Sequence, residues 1–161
     1  MKTLLIVWHS RTGGSEQMAR AAATGAANES KVILRDAAAA EPDDLLVADG
    51  YLFACPENLA SMSGEMKAFF DRCYYPVLGR IEGRPYATMI CAGSDGAGAA
   101  RQIARIATGW RLKPVAEPLI ACTHAQTPAE ILAPKAVAEA DLVRCRDLGT
   151  SIAAGLTLGI F

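Results

Sequence analysis

The sequence has no excess of charge of either sign and no long hydrophobic run. Lysine and arginine number 16 against 17 aspartates and glutamates, and charged residues make up 20% of the 161 residues. This balance argues against disorder, a nucleic-acid-binding surface and a polybasic membrane patch. No stretch approaches the ~20 apolar residues of a membrane span, and His9 and Arg11 end the first apolar run too early for a signal peptide. We therefore expect a cytoplasmic protein whose partner is a small molecule, neither nucleic acid nor membrane.

The cysteines lack the pattern of a disulfide framework or of a zinc site. There are five, an odd number, and only two histidines accompany them. They are widely spaced, and no C-x-x-C motif occurs. The pattern predicts thiols buried in the core of a protein from a reducing compartment, and no metal site. The five are Cys55, Cys73, Cys91, Cys122 and Cys145.

Short apolar runs alternate with segments of helical periodicity along the chain. The runs are nearly continuous, which is typical of strands buried on both faces, and they lie at 3–8, 31–36, 50–55, 86–92 and 118–123. Apolar residues recur at helical spacing within 62–73 and 99–110, and further helices are predicted at 15–27, 41–48 and 138–156. Such alternation requires parallel pairing through right-handed crossovers. The sequence therefore predicts a single doubly wound α/β domain over residues 1–161, with a five-stranded sheet.

The junction after the first strand combines hydroxyls, glycines and an arginine with the start of a helix. Hydroxyls, free backbone N–H groups, a guanidinium and the positive end of a helix all favour anions, so the junction predicts a phosphate site. It lacks the lysine of G-x-x-x-x-G-K-[ST] and the spacing G-x-G-x-x-G, which argues against a nucleoside triphosphatase and a dinucleotide pyrophosphate site. The absence of a cysteine disfavours a cysteine phosphatase, and the absence of acidic residues disfavours a phospho-receiver. A terminal phosphomonoester fits best. The candidate residues are Ser10, Arg11, Thr12, Gly13, Gly14 and Ser15.

Two further loops follow strands of the same predicted sheet. The sequence PENL at 56–59 follows the third strand, and Ser61 or Ser63 is expected to cap the next helix. The glycines of GSDGAG, at 93–98, let the backbone come close to a flat ligand. Ligands bind doubly wound sheets outside the carboxyl ends of the strands, so we expect all three loops to border one site.

Two of these segments resemble those of a known superfamily. The segment HSRTGGSEQMA resembles the loop that wraps the 5′-phosphate of FMN in the flavodoxin-like superfamily. The segment SMSGEMKAFFDR resembles the start of the third helix in its reductase branch, which includes the NADPH-dependent FMN reductases and the quinone reductases of the Trp-repressor-binding type. The order of strands and helices matches over essentially the whole chain. The resemblance implies a flavodoxin-like fold with strand order 2-1-3-4-5 and bound FMN.

The resemblance also implies a role for each loop. The residues at 10–15 would hold the phosphate, with Arg11 beside it. Four residues of the second loop would edge the isoalloxazine ring: Pro56, Glu57, Asn58 and Leu59. Four of the third would close on its pyrimidine end: Gly93, Ser94, Asp95 and Gly96. No catalytic side chain is expected, because the flavin performs the chemistry.

One departure from the electron-carrier flavodoxins bears on function. Carriers are usually strongly acidic and sandwich the ring between aromatic side chains, whereas this chain is near neutral and has Asn58, Leu59 and Ser94 in those loops. An open ring face predicts an oxidoreductase that passes electrons from NAD(P)H through FMN to a quinone or another small acceptor. A flavin reductase that releases FMN, an electron carrier and an FMN-sensing module remain alternatives. Apolar residues late in the third helix and at the chain end predict a homodimer or homotetramer.

Overall fold

The sheet of this protein lies between two layers of helices. A computed structural model describes all of its residues, Met1–Phe161. Strands and helices alternate along most of the chain, as the sequence predicts. In chain order the elements are β1 (Thr3–Trp8), α1 (Gly14–Ala26), β2 (Lys31–Asp36), α2 (Pro42–Val47), β3 (Gly50–Asn58), β4 (Ser61–Met62), α3 (Gly64–Val77), β5 (Pro85–Ala92), α4 (Ala97–Gly109), β6 (Lys113–Pro114), β7 (Leu119–Cys122), α5 (Pro128–Leu132) and α6 (Glu139–Leu158).

The strand order agrees with the prediction, but the strand count does not. Parallel strands follow the order β2-β1-β3-β5, and both β6 and β7 pair with the outer side of β5. The sheet therefore has seven strands rather than five. Pro114 and Pro118 bracket the gap between β6 and β7, where neither can donate a backbone hydrogen bond, so the edge is divided into two short pieces. The other added strand, β4, pairs antiparallel with the end of β3.

Apolar side chains form one core on each face of the sheet. The helices α2, α3 and α4 cover a cluster of 25 buried residues, and α1 and α6 cover a cluster of 18. The predicted helical stripes face the first cluster, where the rings of Phe70 and Trp110 lie 5.4 Å apart, edge to face. All five cysteines are free thiols, and only Cys122 is not fully buried. The parallel strands thus direct their carboxyl ends, and the loops that follow, to one edge of the molecule.

None of the helices combines the length and the hydrophobicity that crossing a bilayer requires. No three or more His, Cys, Asp or Glu side chains lie close enough together to hold a metal ion.

Candidate functional site

The loop after β1 and the end of β3 meet around one cavity at the carboxyl edge of the sheet, because β3 continues to Asn58 through most of the predicted second loop. The cavity has a volume of about 150 Å³. Most of the predicted phosphate loop and half of the predicted second loop line it, together with three residues that the sequence did not indicate. The lining residues are Ser10, Arg11, Thr12, Gly14, Ser15, Pro56, Asn58, Cys91, Ile131 and Leu132. The first two predicted loops are therefore brought together in space.

The phosphate loop has its own internal support. The N–H of Gly13 donates to Ser10 Oγ at 2.9 Å, which closes the turn. Gly13 has a φ of 97°, in the left-handed region, and α1 begins at the next residue. A Cβ on Gly14 would lie 2.4 Å from Cys91 Sγ, so only glycine lets this loop rest on β5. Gly14 and Ser15, the first two residues of α1, line the cavity.

The hydroxyl of Ser15 is buried without a hydrogen-bond partner. Buried polar groups in native proteins are nearly always paired, and an unpaired one costs about 1–3 kcal/mol. Ser15 lines the cavity and lies in the first turn of α1, where the helix dipole favours negative charge. An anion placed there would accept a hydrogen bond from this hydroxyl. The loop thus fits an anion such as a phosphate group.

A polar cluster fixes the outer side of the phosphate loop. His9 is buried, and its Nδ1 lies 2.8 Å from Ser63 Oγ. Arg11 Nη2 donates to Glu65 Oε1 at 3.2 Å, and Glu65 Oε2 lies 3.6 Å from His9 Nε2. The Glu65 pKa lies below its usual range because its own backbone N–H donates to the carboxylate and because His9 and Arg11 are close, which together outweigh burial. Ser63 precedes α3, yet its hydroxyl binds His9 rather than capping the helix as predicted.

The Glu57 carboxylate connects the second loop to the third. Its Oε1 accepts from the N–H of Gly96 at 2.8 Å and its Oε2 accepts from the N–H of Ala99 at 3.1 Å. The carboxylate thus caps α4, whose own N-cap residue, Gly96, has no side chain to do so. Both oxygens of the Glu57 carboxylate are thus bonded to backbone N–H groups of the third loop and α4.

The second loop ends in a strained hairpin. Leu59 and Ala60, the two residues between β3 and β4, have φ of 53° and 62°, in the left-handed region that disfavours side chains. Leu59 is fully exposed at the tip. Gln102 Oε1 accepts from the N–H of Met62 at 2.7 Å, and a Cβ on Gly98 would lie 2.1 Å from Ala60 O. The hairpin is thus held against α4.

The third loop lies beside this hairpin and outside the lining of the 150 Å³ cavity. Gly93 and Gly96 flank two exposed residues, Ser94 and Asp95. Asp95 Oδ1 accepts from the N–H of Ala97 at 3.1 Å, so its carboxylate stays near the start of α4. No aromatic side chain occurs at 56–59 or 93–96. The rim available to a flavin ring is consequently aliphatic and polar.

Sequence reasoning missed the contribution of the late part of the chain. Ile131 and Leu132 line the cavity from α5, a helix that the sequence analysis does not predict. The signal for that helix is present, since Thr127 and Glu130 form a capping box and Pro128 takes the first helical position between them. Nothing local in the sequence indicates that α5 lies over the phosphate loop, because that placement depends on long-range contacts.

The fold and the loops at its carboxyl edge define a flavodoxin-like protein, a class that binds FMN. Residues 26–127 match the NADPH-dependent FMN reductase family, and this chain belongs to that family. The matched range includes the second and third loops. The phosphate loop precedes it.

Individual relatives have the same fold or partial sequence similarity. A flavodoxin from Aquifex aeolicus (strain VF5) is 32% identical over 100 residues, which cover 61% of this chain and 54% of the relative. An NAD(P)H dehydrogenase (quinone) from Acidithiobacillus ferrooxidans is also 32% identical, covering 45% and 47%. The crystal structure of the flavodoxin, WrbA-like protein from Agrobacterium tumefaciens aligns with a TM-score of 0.77 and 19% identity, covering 98% and 99%. The matched segments span about half the length of these two curated relatives. The chain is thus a member of a family of FMN-binding, flavodoxin-like oxidoreductases.

Proposed function

We propose that this protein is an FMN-dependent reductase that takes electrons from NAD(P)H and passes them through bound FMN to a quinone or another small acceptor. The observation that carries the proposal is the unpaired hydroxyl of Ser15, buried in the cavity at the start of α1. A buried donor without a partner favours an acceptor nearby, and the phosphate of FMN would supply one. Family membership supports the flavin, and the relative named as a quinone dehydrogenase supports the choice of acceptor.

The chain's own residues would bind and orient the cofactor. The hydroxyls of Thr12 and Ser15 and the N–H groups at the start of α1 would donate to the phosphate, while the exposed Arg11 would add positive charge at the rim. Pro56, Asn58 and Leu59 would border the ring on one side, and residues 93–96 would border its pyrimidine end. Bound FMN supplies the capacity to accept a hydride and to pass electrons on.

The absence of aromatic side chains from these loops supports a reductase rather than a carrier. A ring covered on both faces can exchange single electrons at its edge, but a nicotinamide must approach one face for hydride transfer. Here that face would be bordered by Asn58, Leu59 and Ser94, which leave room for a planar molecule. NAD(P)H and the acceptor would therefore use the same open face in turn, which predicts ping-pong kinetics.

The decisive assay follows NADH and NADPH absorbance with purified protein, added FMN and a simple benzoquinone. Oxidation well above the uncatalysed rate with either nucleotide is expected. Failure with both would refute the reductase proposal and leave a carrier or sensor. Flavin that stays with the protein through gel filtration would argue against the alternative in which FMN is released as a product.

The phosphate assignment has its own test. Thr12→Ala combined with Ser15→Ala removes two hydroxyl donors, each contributing about 1.5–3 kcal/mol when bonded to a charged group. FMN affinity should fall by tens-fold or more, whereas riboflavin, which lacks the phosphate, should bind both forms alike. Equal FMN affinity in variant and wild type would exclude this loop as the anchor.

A non-enzymatic electron carrier is the second candidate. The 32% identity to a flavodoxin favours it. A carrier would show reversible flavin reduction by a partner protein and no direct oxidation of NAD(P)H, so the same assay separates the two.

We also propose a homodimer or homotetramer. Tyr74 and Tyr75 are exposed near the end of α3, with their rings stacked at 4.9 Å, and such an apolar surface favours association. A strict monomer by light scattering at micromolar concentration would contradict this.

A further inference from the structure

The segment at 123–138, called here the cover segment, runs from the end of β7 to the start of α6 and contains α5. Ile131 and Leu132, at the end of α5, line the phosphate cavity opposite Ser10, Thr12 and Ser15. The two side chains are nevertheless 52% and 77% exposed, and no residue of α5 is buried. Two aliphatic side chains therefore lie over an anion-binding loop without being part of the protein core.

The cover segment keeps its shape through its own hydrogen bonds. Glu130 N–H donates to Thr127 Oγ1 at 3.3 Å, and Glu130 Oε2 accepts from the N–H groups of Gln126 and Thr127 at 2.8 and 3.2 Å. At the other end of α5, Lys135 Nζ donates to three backbone carbonyls, at 2.6–2.9 Å, those of Glu130, Ile131 and Ala133. The hydrogen-bonding groups at both ends of this short helix are thus satisfied within the cover segment itself.

The cover segment is attached to the cofactor loops at both of its ends. The N–H of Lys135 donates to Thr12 O at 2.7 Å. Gln17 Nε2 donates to Lys135 O at 2.7 Å and to Gly13 O at 2.9 Å, and its Oε1 accepts from the N–H of Val137 at 3.0 Å. At the β7 end, His124 N–H donates to Gly93 O at 2.8 Å. The side chain of Gln17 therefore joins the phosphate loop directly to this segment.

The middle of the cover segment does not pack directly on the sheet. A cavity of about 450 Å³ separates it from the sheet edge, and Cys91 lines both this cavity and the phosphate cavity. His124, the second residue of the cover segment, has a φ of 59°, in the left-handed region.

We propose that Ile131 and Leu132 form a wall of the FMN site, lying over the phosphate and ribityl chain and excluding water from them. The inference rests on the proposed function and deepens it, since a covered phosphate makes FMN a resident cofactor rather than an exchanging substrate. Exclusion of water strengthens the hydrogen bonds of the hydroxyl and N–H donors to the phosphate, because charges attract more strongly in a less polar medium. Gln17 acts as a positioning residue that keeps the cover segment over the loop.

The test compares matched serine variants. Ile131→Ser with Leu132→Ser changes two exposed side chains, so the variant should fold. Leu158→Ser, at the far end of α6, removes a leucine of similar exposure, 72%, and is the control. FMN release, followed by the recovery of flavin fluorescence, should be about tenfold faster in the double variant, because the apolar contact contributes on the order of 1–2 kcal/mol. The Leu158 variant should release FMN at the wild-type rate, and riboflavin release should change less than FMN release.

Two further measurements make the inference independent of turnover. Gln17→Ala should also speed FMN release, whereas Thr24→Ala, which removes an exposed hydroxyl from the same helix, should not. Saturating FMN should slow hydrogen exchange of the backbone amides at 129–133. If wild type binds FMN but the double variant releases it at the wild-type rate and exchange there is unaffected, the wall is excluded while the reductase proposal stands. If wild type binds no FMN, both are overturned, whereas tight FMN without NAD(P)H oxidation overturns only the reductase.

Discussion

Replacing Ser15 with alanine should have opposite effects on the free protein and on the complex with FMN. In the free protein the Ser15 hydroxyl is buried without a partner, which is unfavourable. In the complex the same hydroxyl would donate to a phosphate. Ser15→Ala removes the unfavourable group from the first state and a favourable bond from the second.

The magnitudes follow from the environment of the hydroxyl. Removing an unsatisfied buried polar group should raise the free energy of unfolding by about 1 kcal/mol. For a chain of 161 residues this corresponds to a melting temperature higher by about 2–4 °C. Loss of a hydrogen bond to a charged acceptor, about 1.5–3 kcal/mol, should weaken FMN about 10- to 150-fold.

Ser30 provides a matched control. It is the other buried serine whose hydroxyl has no partner, and it lies just before β2, at the edge of the sheet opposite to the site. Ser30→Ala should stabilise the free protein by a similar amount and leave FMN affinity unchanged. Thermal unfolding without flavin and fluorescence titration with FMN measure the two quantities on the same three proteins.

Two results would contradict the assignment of the Ser15 hydroxyl to the phosphate. If Ser15→Ala and Ser30→Ala gave the same FMN affinity as wild type, the Ser15 hydroxyl would not contact the phosphate. If Ser15→Ala destabilised the free protein, the hydroxyl would have a hydrogen-bond partner in solution. It would then not be free to bind a ligand.

Other residues give further tests. Glu57→Ala should lower the unfolding free energy by about 1–2 kcal/mol through loss of the α4 cap, measured in urea, and an unchanged midpoint would contradict the link between the two loops. Thiol titration of the native protein should modify only Cys122, because the others are buried and burial raises the pKa of Cys55 to about 12; rapid reaction of a second thiol would disagree. Burial raises the pKa of Asp49, but its hydrogen bonds and a neighbouring lysine outweigh this effect and hold the pKa below the ordinary 3.8. The carboxylate therefore contributes fully to the free energy of unfolding above about pH 4, and this contribution is lost as the pH falls further. Asp49→Asn should flatten the acid side of the profile of stability against pH. Asp95→Asn should raise the two-electron flavin potential by about 20 mV, because the carboxylate is exposed and screened, and an unchanged potential would place it away from the ring.

The alternation of buried strands and helical stripes was predictable from the sequence because it depends on residues close together in the chain. The periodicity of 62–73 and 99–110 corresponds to the buried faces of α3 and α4, and the order 2-1-3 then follows from the superfamily that the motifs indicate. The loop after β1 could also be singled out as a candidate anion site, because its hydroxyls, glycines and arginine are consecutive in the sequence. The division of the sheet edge into β6 and β7 depends on Pro114 and Pro118. The sequence indicates that these prolines interrupt strand pairing, but it does not show where in the sheet the interruption lies.

The tertiary structure alone decided which side chains connect the loops. Glu57 contains no signal for a helix cap, because its partners, Gly96 and Ala99, are about 40 residues away in sequence. Likewise Gln17 resembles any polar residue in the first turns of a helix, yet it binds the backbone at Lys135 and Val137. Local patterns report burial and turn geometry. A hydrogen bond between distant segments has no such pattern, since its energy depends on where the whole fold brings the two ends.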